Sequence, residues 1–138
     1  MGAVIADTGP LVALLDQREA AHAWVREQFG RMGEPLLTCE TVLAEAAYLL
    51  MRRGLPPERF FQLLRRGLVE IRFDLAGEWE RIEALMAAYH DRPMSLADAC
   101  VVRMCEQARD GMVFTLDRDF LIYRQHGKRE IPLLAPFG

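Results

Sequence analysis

Four acidic side chains stand where this chain otherwise builds core. Asp7 follows GAVIA, Glu45 sits inside TVLAEAAYLLM, Asp98 sits inside SLADACVV, and Asp117, with Asp119 two residues on, follows MVFTL. A carboxylate among core-forming residues is costly to bury unless something compensates it. Four of them, each at the edge or in the middle of an apolar run, suggest acids gathered around a shared cation. Carboxylates within a few ångströms of one another do not all stay ionised without one, because like charges raise each other's pKa. Hard oxygen donors suit Mg²⁺ or Mn²⁺ rather than Zn²⁺. A centre of this kind lowers the pKa of a water, positions it in line and stabilises the leaving oxygen. Phosphodiester hydrolysis follows naturally.

Each acid also has a structural alternative. Asp98 is the fourth residue of Ser95-x-x-Asp98, a capping-box pattern, and Asp7 precedes a helix start at Thr8. Asp117 and Asp119 suit a turn after a strand. Glu45 resists a bland reading best, since Val42, Ala44, Ala46, Ala47 and Leu49 leave little polar face around it. Its alternative is an ion pair with an arginine elsewhere, the usual way to bury a charge. It is the conjunction that favours a common site, because unrelated structural causes would have to coincide four times.

The elements that must position these acids alternate. Residues 2–6 read as a short buried strand. Thr8 and Pro10 then open a helix whose buried face is Leu11, Val12, Leu14 and Leu15. A helix over about 19–29 follows, ended by Gly30 and Gly33, then a strand over 35–38 and an apolar helix to Arg53 stopped by Gly54. Pro56 and Pro57 open a helix carrying Phe60, Phe61, Leu63 and Leu64. Residues 69–73 read as an edge strand, 78–89 as a helix, 95–110 as a capped helix and 112–116 as a buried strand. Leu133–Leu134 adds a last short strand. Short buried strands alternating with helices predict an α/β fold with a central parallel sheet and helices on both faces. Sites in such sheets form outside the carboxyl ends of the strands, where Asp7 and Asp117 fall.

The chain has 138 residues, 51% hydrophobic and 27% charged, which fits one domain over 1–138 with a core that needs no disulfides. A net charge of -3 argues against a broad basic footprint for duplex nucleic acid without excluding a nuclease, since a bound cation reverses the sign locally. Lys128 is the single lysine among the basic residues. Arg52–Arg53 and Arg65–Arg66 are the arginine pairs to watch as contacts to a phosphate backbone. Cys39, Cys100 and Cys105 lack metal or redox spacing and read as reduced, buried thiols, which points to the cytoplasm. His22, His90 and His126 lack zinc-ligand spacing. No stretch has transmembrane length, and no signal peptide is read at the start.

At these residues the chain resembles PIN-domain ribonucleases, specifically the VapC-type toxins of bacterial and archaeal toxin–antitoxin pairs. The similarity begins with the first strand and Asp-Thr-Gly-Pro at 7–10 and continues through ALLDQREAAHAWV and the helix of Glu45. It extends to SLADACVV around Asp98 and TLDRDF at 115–120. The resemblance implies a three-layer α/β/α sandwich and a homodimer. Asp7, Glu45 and Asp98 correspond to the core metal-binding acids and Asp117 to a fourth, more variable one, with Asp119 assisting. Thr8 and Thr115 match small hydroxyl positions that support the site. The implied activity is Mg²⁺- or Mn²⁺-dependent hydrolysis of single-stranded or structured RNA by a metal-activated water. The implied partner is a small antitoxin protein covering the acids, with Leu14, Leu15, Trp24, Phe60 and Phe61 as candidates for its groove.

Three other readings compete. A phospho-acceptor receiver-like signalling module would show adjacent acids after the first strand and a lysine after a late one, but Asp7 is alone and Lys128 lies in a polar segment. A haloacid-dehalogenase-like phosphatase needs a DxD motif early, whereas Asp117-Arg118-Asp119 comes late. A catalytically silent PIN-like scaffold that binds RNA or protein is separated from a nuclease by metal-dependent cleavage.

Overall fold

Val4–Ala6 forms β1, three buried apolar residues with a strand on either side. Ile5 pairs with Leu37, and Val4, Ile5 and Ala6 pair with Met112, Val113 and Phe114. A strand covered on both faces has no polar side to show, which is why this run is apolar throughout. The computed structural model describes residues 2–137. After β1 come α1 (Thr8–Leu15), α2 (His22–Gly30), β2 (Leu36–Thr38), α3 (Glu40–Arg52), α4 (Arg59–Arg65), β3 (Val69–Ile71) and α5 (Leu75–Ala88). Then follow α6 (Leu96–Gln107), β4 (Met112–Phe114), a 3-10 turn (Arg118–Leu121), β5 (Arg124–Gln125), β6 (Arg129–Glu130) and β7 (Leu133–Leu134).

The main sheet runs β3-β2-β1-β4-β7 with every pairing parallel, and helices flank it to give three α/β/α layers. β5 and β6 form a separate antiparallel hairpin. α1 packs on α2 and α3, α6 packs on α5, β1 and β4, and α3 also touches α6. Ile5, Val25, Leu36, Val42, Leu50, Val101, Val113 and Phe114 lie at the centre of the core. Among the described residues no helix is long and apolar enough to cross a membrane.

Most expected elements are present with shifted ends. α2 starts at His22 because residues 16–19 are held as a turn: Asp16 accepts from the Arg18 and Glu19 backbone N–H groups at 3.0 and 3.1 Å. α5 begins at Leu75, three residues before Glu78, and α6 stops at Gln107, where Ala108 turns extended and Asp110 adopts φ 54°. Gly54 takes φ 75° just past α3, the left-handed cap its type predicts. Residues 69–71 form the edge strand. The 3-10 turn and the β5–β6 hairpin were not anticipated.

Candidate active site

The strand order reverses at β1: the chain lays β2 and β3 outward on one side, and β4 and β7 on the other. The carboxyl ends of β1 and β4 therefore flank the switch point, where an open α/β sheet leaves a crevice. Asp7 leaves β1 there, its backbone N–H still bonded to the Phe114 carbonyl at 2.9 Å. It holds the N-cap position of α1, yet its side chain makes no capping bond. Its Oδ2 instead accepts from the buried Thr115 hydroxyl at 2.8 Å, and that same hydroxyl accepts from the Asp117 N–H at 2.9 Å. Gly9 lets the first turn of α1 lie close to this loop, since a Cβ there would stand 3.3 Å from the Leu116 Cβ.

Glu45 projects from α3 and is half-buried, and its Oε1 accepts from the Thr8 hydroxyl at 2.8 Å. It has no arginine partner among the described residues, so the ion-pair alternative fails. Asp98 is both cap and site residue. Its Oδ2 accepts from the Ser95 N–H at 3.1 Å, its own N–H bonds Ser95 Oγ at 3.0 Å, and the Tyr123 hydroxyl donates to Oδ2 at 3.3 Å. Asp117 caps the 3-10 turn by accepting from the Asp119 N–H at 2.9 Å.

Asp7, Glu45, Asp98 and Asp117 line one cleft of about 540 Å³, together with Thr8, Gly9, Leu49, Leu116 and Arg118. Thr115 lies behind Asp7. Asp119 contributes its backbone N–H and is not part of this lining. Burial pushes the Asp7 carboxyl up to about 7 against the opposing bonds from Thr115 and the Thr8 backbone, with Asp98 and Asp117 adding repulsion. Burial also raises Asp98, opposed by Ser95 and Tyr123 and reinforced by the charges of Asp117 and Glu45. None of the four acids is ion-paired among the described residues.

The donors around this cleft are carboxylates and a hydroxyl, with no imidazole or thiol in the lining, which fits Mg²⁺ or Mn²⁺ by chemistry. Among the described residues no three His, Cys, Asp or Glu side chains converge into a finished metal cage.

Other expectations moved. Arg53 is committed to Asp16 and Glu19, whereas Arg52 is exposed and bonds only the Tyr48 hydroxyl; Arg65 and Arg66 are exposed at the end of α4. Leu14, Leu15 and Trp24 are partly buried and pack against the core, Trp24 edge-on to Phe114 at 5.8 Å. Phe61 is 58% exposed beside the buried Phe60. His22 and His90 each meet a nearby backbone carbonyl, and all three cysteines are buried and unpaired. Tyr123 and Arg118 were missed. Tyr123 lies among apolar residues in a segment whose role depends on where the 3-10 turn sends it.

Comparison with known proteins agrees with this architecture. The PIN domain family model matches residues 4–125. Ribonuclease VapC26 of Mycobacterium tuberculosis is 32% identical over 117 residues, covering 83% of this chain and 87% of that protein. The crystal structure of Mycobacterium tuberculosis VapC20, described as a sarcin–ricin loop cleaving toxin, matches with a TM-score of 0.67 at 21% identity. It covers 76% of this chain and 82% of the other.

Proposed function

The chain belongs to the PIN-domain family, and from that premise we propose that its acidic cleft is the active centre of a VapC-type, divalent-metal-dependent ribonuclease. One observation carries the reading: four carboxylates share a cleft at the sheet's switch point, with no cation of the chain paired to any of them among the described residues. The 32% identity to a ribonuclease over most of both chains supports the same activity.

Asp7, Glu45, Asp98 and Asp117 would hold Mg²⁺ or Mn²⁺, which when bound supplies Lewis acidity at the scissile phosphate and an acidified water. The chain's own residues orient those ligands. Thr115 fixes Asp7 through Oδ2, and its hydroxyl sets the Asp117 backbone in the same stroke. Thr8 holds Glu45 through Oε1, while Ser95 and Tyr123 hold Asp98 through Oδ2. Burial holds the Asp7 carboxyl up at about 7, so binding a cation would require Asp7 to give up its proton. Asp119 acts through the backbone of its turn. No side-chain nucleophile is required.

A small antitoxin covering the acids is the proposed protein partner, and a homodimer the proposed assembly. An almost wholly apolar hollow of about 420 Å³ between α3 and α4, lined by Leu43, Ala44, Ala47, Pro57, Phe60 and Phe61, supports a protein contact on that side.

The deciding experiment is cleavage of single-stranded RNA by wild type with Mg²⁺ or Mn²⁺, by wild type with a chelator, and by Asp98→Asn. Cleavage confined to the first condition is the expected result. Equal cleavage in all three would sink the mechanism.

A further inference from the structure

Arg118 is the cationic member of the cleft lining, and its setting is unusual. Four carboxylates share the cleft, yet its guanidinium is in no ion pair among the described residues. Arg18, Arg53, Arg81 and Arg103 show the alternative, each seated on an acid; Arg118 takes no such partner although it lines the same cleft as four of them. Arg118 instead lies over the ring of Phe137, with Cζ 4.7 Å from the ring centre. A guanidinium stacked on an aromatic face is attracted by the ring and keeps its edge N–H groups free to donate.

The backbone secures this arrangement at both ends. Arg118 opens the 3-10 turn capped by the Asp117 side chain. Phe137 follows β7, which is bonded alongside β4 by Val113 N–H to the Pro132 carbonyl at 2.9 Å and Thr115 N–H to the Leu134 carbonyl at 3.1 Å. The cation is thus held in the lining of the acidic cleft with no acid as its partner among the described residues. A chain with net charge -3 and an acidic centre repels nucleic-acid phosphates, so a fixed guanidinium at the rim has an evident use.

We propose that Arg118, braced on Phe137, is a substrate-binding residue that grips an RNA backbone phosphate beside the scissile one. The assignment rests on the ribonuclease reading and gives the rim of that site a task separate from the acids. Its planar fork suits bidentate contact with phosphate oxygens. The phosphate it holds sets where the strand lies across the four carboxylates.

Steady-state cleavage of a fluorescently labelled single-stranded RNA of randomised sequence, at saturating Mg²⁺, tests this. Arg118→Ala should raise KM about tenfold, the cost of one charge-assisted contact, with kcat almost unchanged. The slope of log(kcat/KM) against log(salt) should become shallower by about 0.7, one phosphate contact on a single strand. Arg118→Lys should recover part of the loss. Phe137→Leu should raise KM about threefold, and Phe137→Tyr should restore it. Unchanged KM and salt slope in Arg118→Ala, or a fall in kcat at constant KM, would overturn the assignment. Phe137→Leu indistinguishable from wild type would overturn the brace. A wild type that leaves the RNA intact brings down the ribonuclease reading itself, whereas a cleaving wild type matched by Arg118→Ala brings down only this inference.

Discussion

The molecule treats its buried acids in two opposite ways. Away from the cleft, Glu106 on α6 receives Arg81 at 2.7 and 3.0 Å, Arg103 at 3.3 Å and the His126 N–H at 2.6 Å. Burial pushes its pKa up, but Arg81, the His126 N–H and Arg103 outweigh this and hold it below the usual glutamate value. Asp16 likewise takes Arg18 at 3.0 Å and Arg53 at 3.1 Å, and Arg18 chiefly drives its carboxyl far down. Eight residues earlier on the same helix, Asp98 receives only a backbone N–H and a phenol, and Asp7, at the end of β1, receives only hydroxyl and backbone donors. Both are raised. The fold has arginines to spare and pairs none of them with these acids among the described residues, so the charge of the cleft is left for something that arrives from outside.

This contrast can be broken at either end. Asp98→Asn keeps an acceptor for the Ser95 N–H but removes the charge. It should cut kcat by about 10²–10³-fold while leaving the Mg²⁺-free protein as stable or more stable, read by RNA cleavage and thermal melting.

Next in size is the pH response of the metal-free chain. Asp7 has a folded pKa of about 7 against an ordinary 3.8, so its contribution to stability is full below 3.8 and is lost as pH rises through about 7. Asp16 and Glu106 are depressed, so their contributions are present above 3.8 and 4.5 and are lost as pH falls through their folded values. Melting temperature measured in chelator should therefore fall on both sides of mildly acidic pH. The falling limb, between pH 3.8 and about 7, is worth up to about 1.4 kcal/mol per pH unit traversed, and it should flatten when Mg²⁺ or Mn²⁺ is added. A falling limb that ignores the cation would show that the acids do not bind it.

Glu106→Gln should reverse the outcome of Asp98→Asn. It leaves two arginines facing a neutral group and should cost about 2–3 kcal/mol in denaturant unfolding, with cleavage per folded molecule retained. The smallest effect belongs to Tyr123→Phe, which removes one hydroxyl from Asp98. It should cost about 0.5–1.5 kcal/mol and raise the cation concentration needed for half-maximal cleavage, visible in a Mg²⁺ titration.

Much of this was legible in the sequence because strand ends and helix starts carry strong local signals. GAVIA followed by Asp-Thr-Gly-Pro placed Asp7 at a strand-to-helix junction, and Ser95-x-x-Asp98 fixed the first turn of α6. Parallel pairing then brought those junctions to one edge. The two-residue ladders of β5 and β6 were not legible, being too short for any alternation to register. Tyr123 was hidden for a different reason: its hydroxyl reaches Asp98 across 25 positions, after a 3-10 turn that redirects the chain. Arg118 and Phe137 meet only because β7 pairs beside β4, a contact between segments with no shared pattern. The apolar candidates Leu14, Leu15 and Trp24 could not be told from core by type alone, and the core is where they pack.

The Thr115–Asp7 bond joins residues 108 positions apart, and Asp117 is set by the same hydroxyl. Such a distant contact closes late in folding, because the loop between its ends must be ordered first. The proposed hydrolytic centre would therefore work as a completion signal. A partly collapsed chain, or one in which β1 has parted from β4, has its acids on separate pieces and cannot cut. In a refolding experiment, cleavage should return with the last global phase, behind the recovery of helical structure.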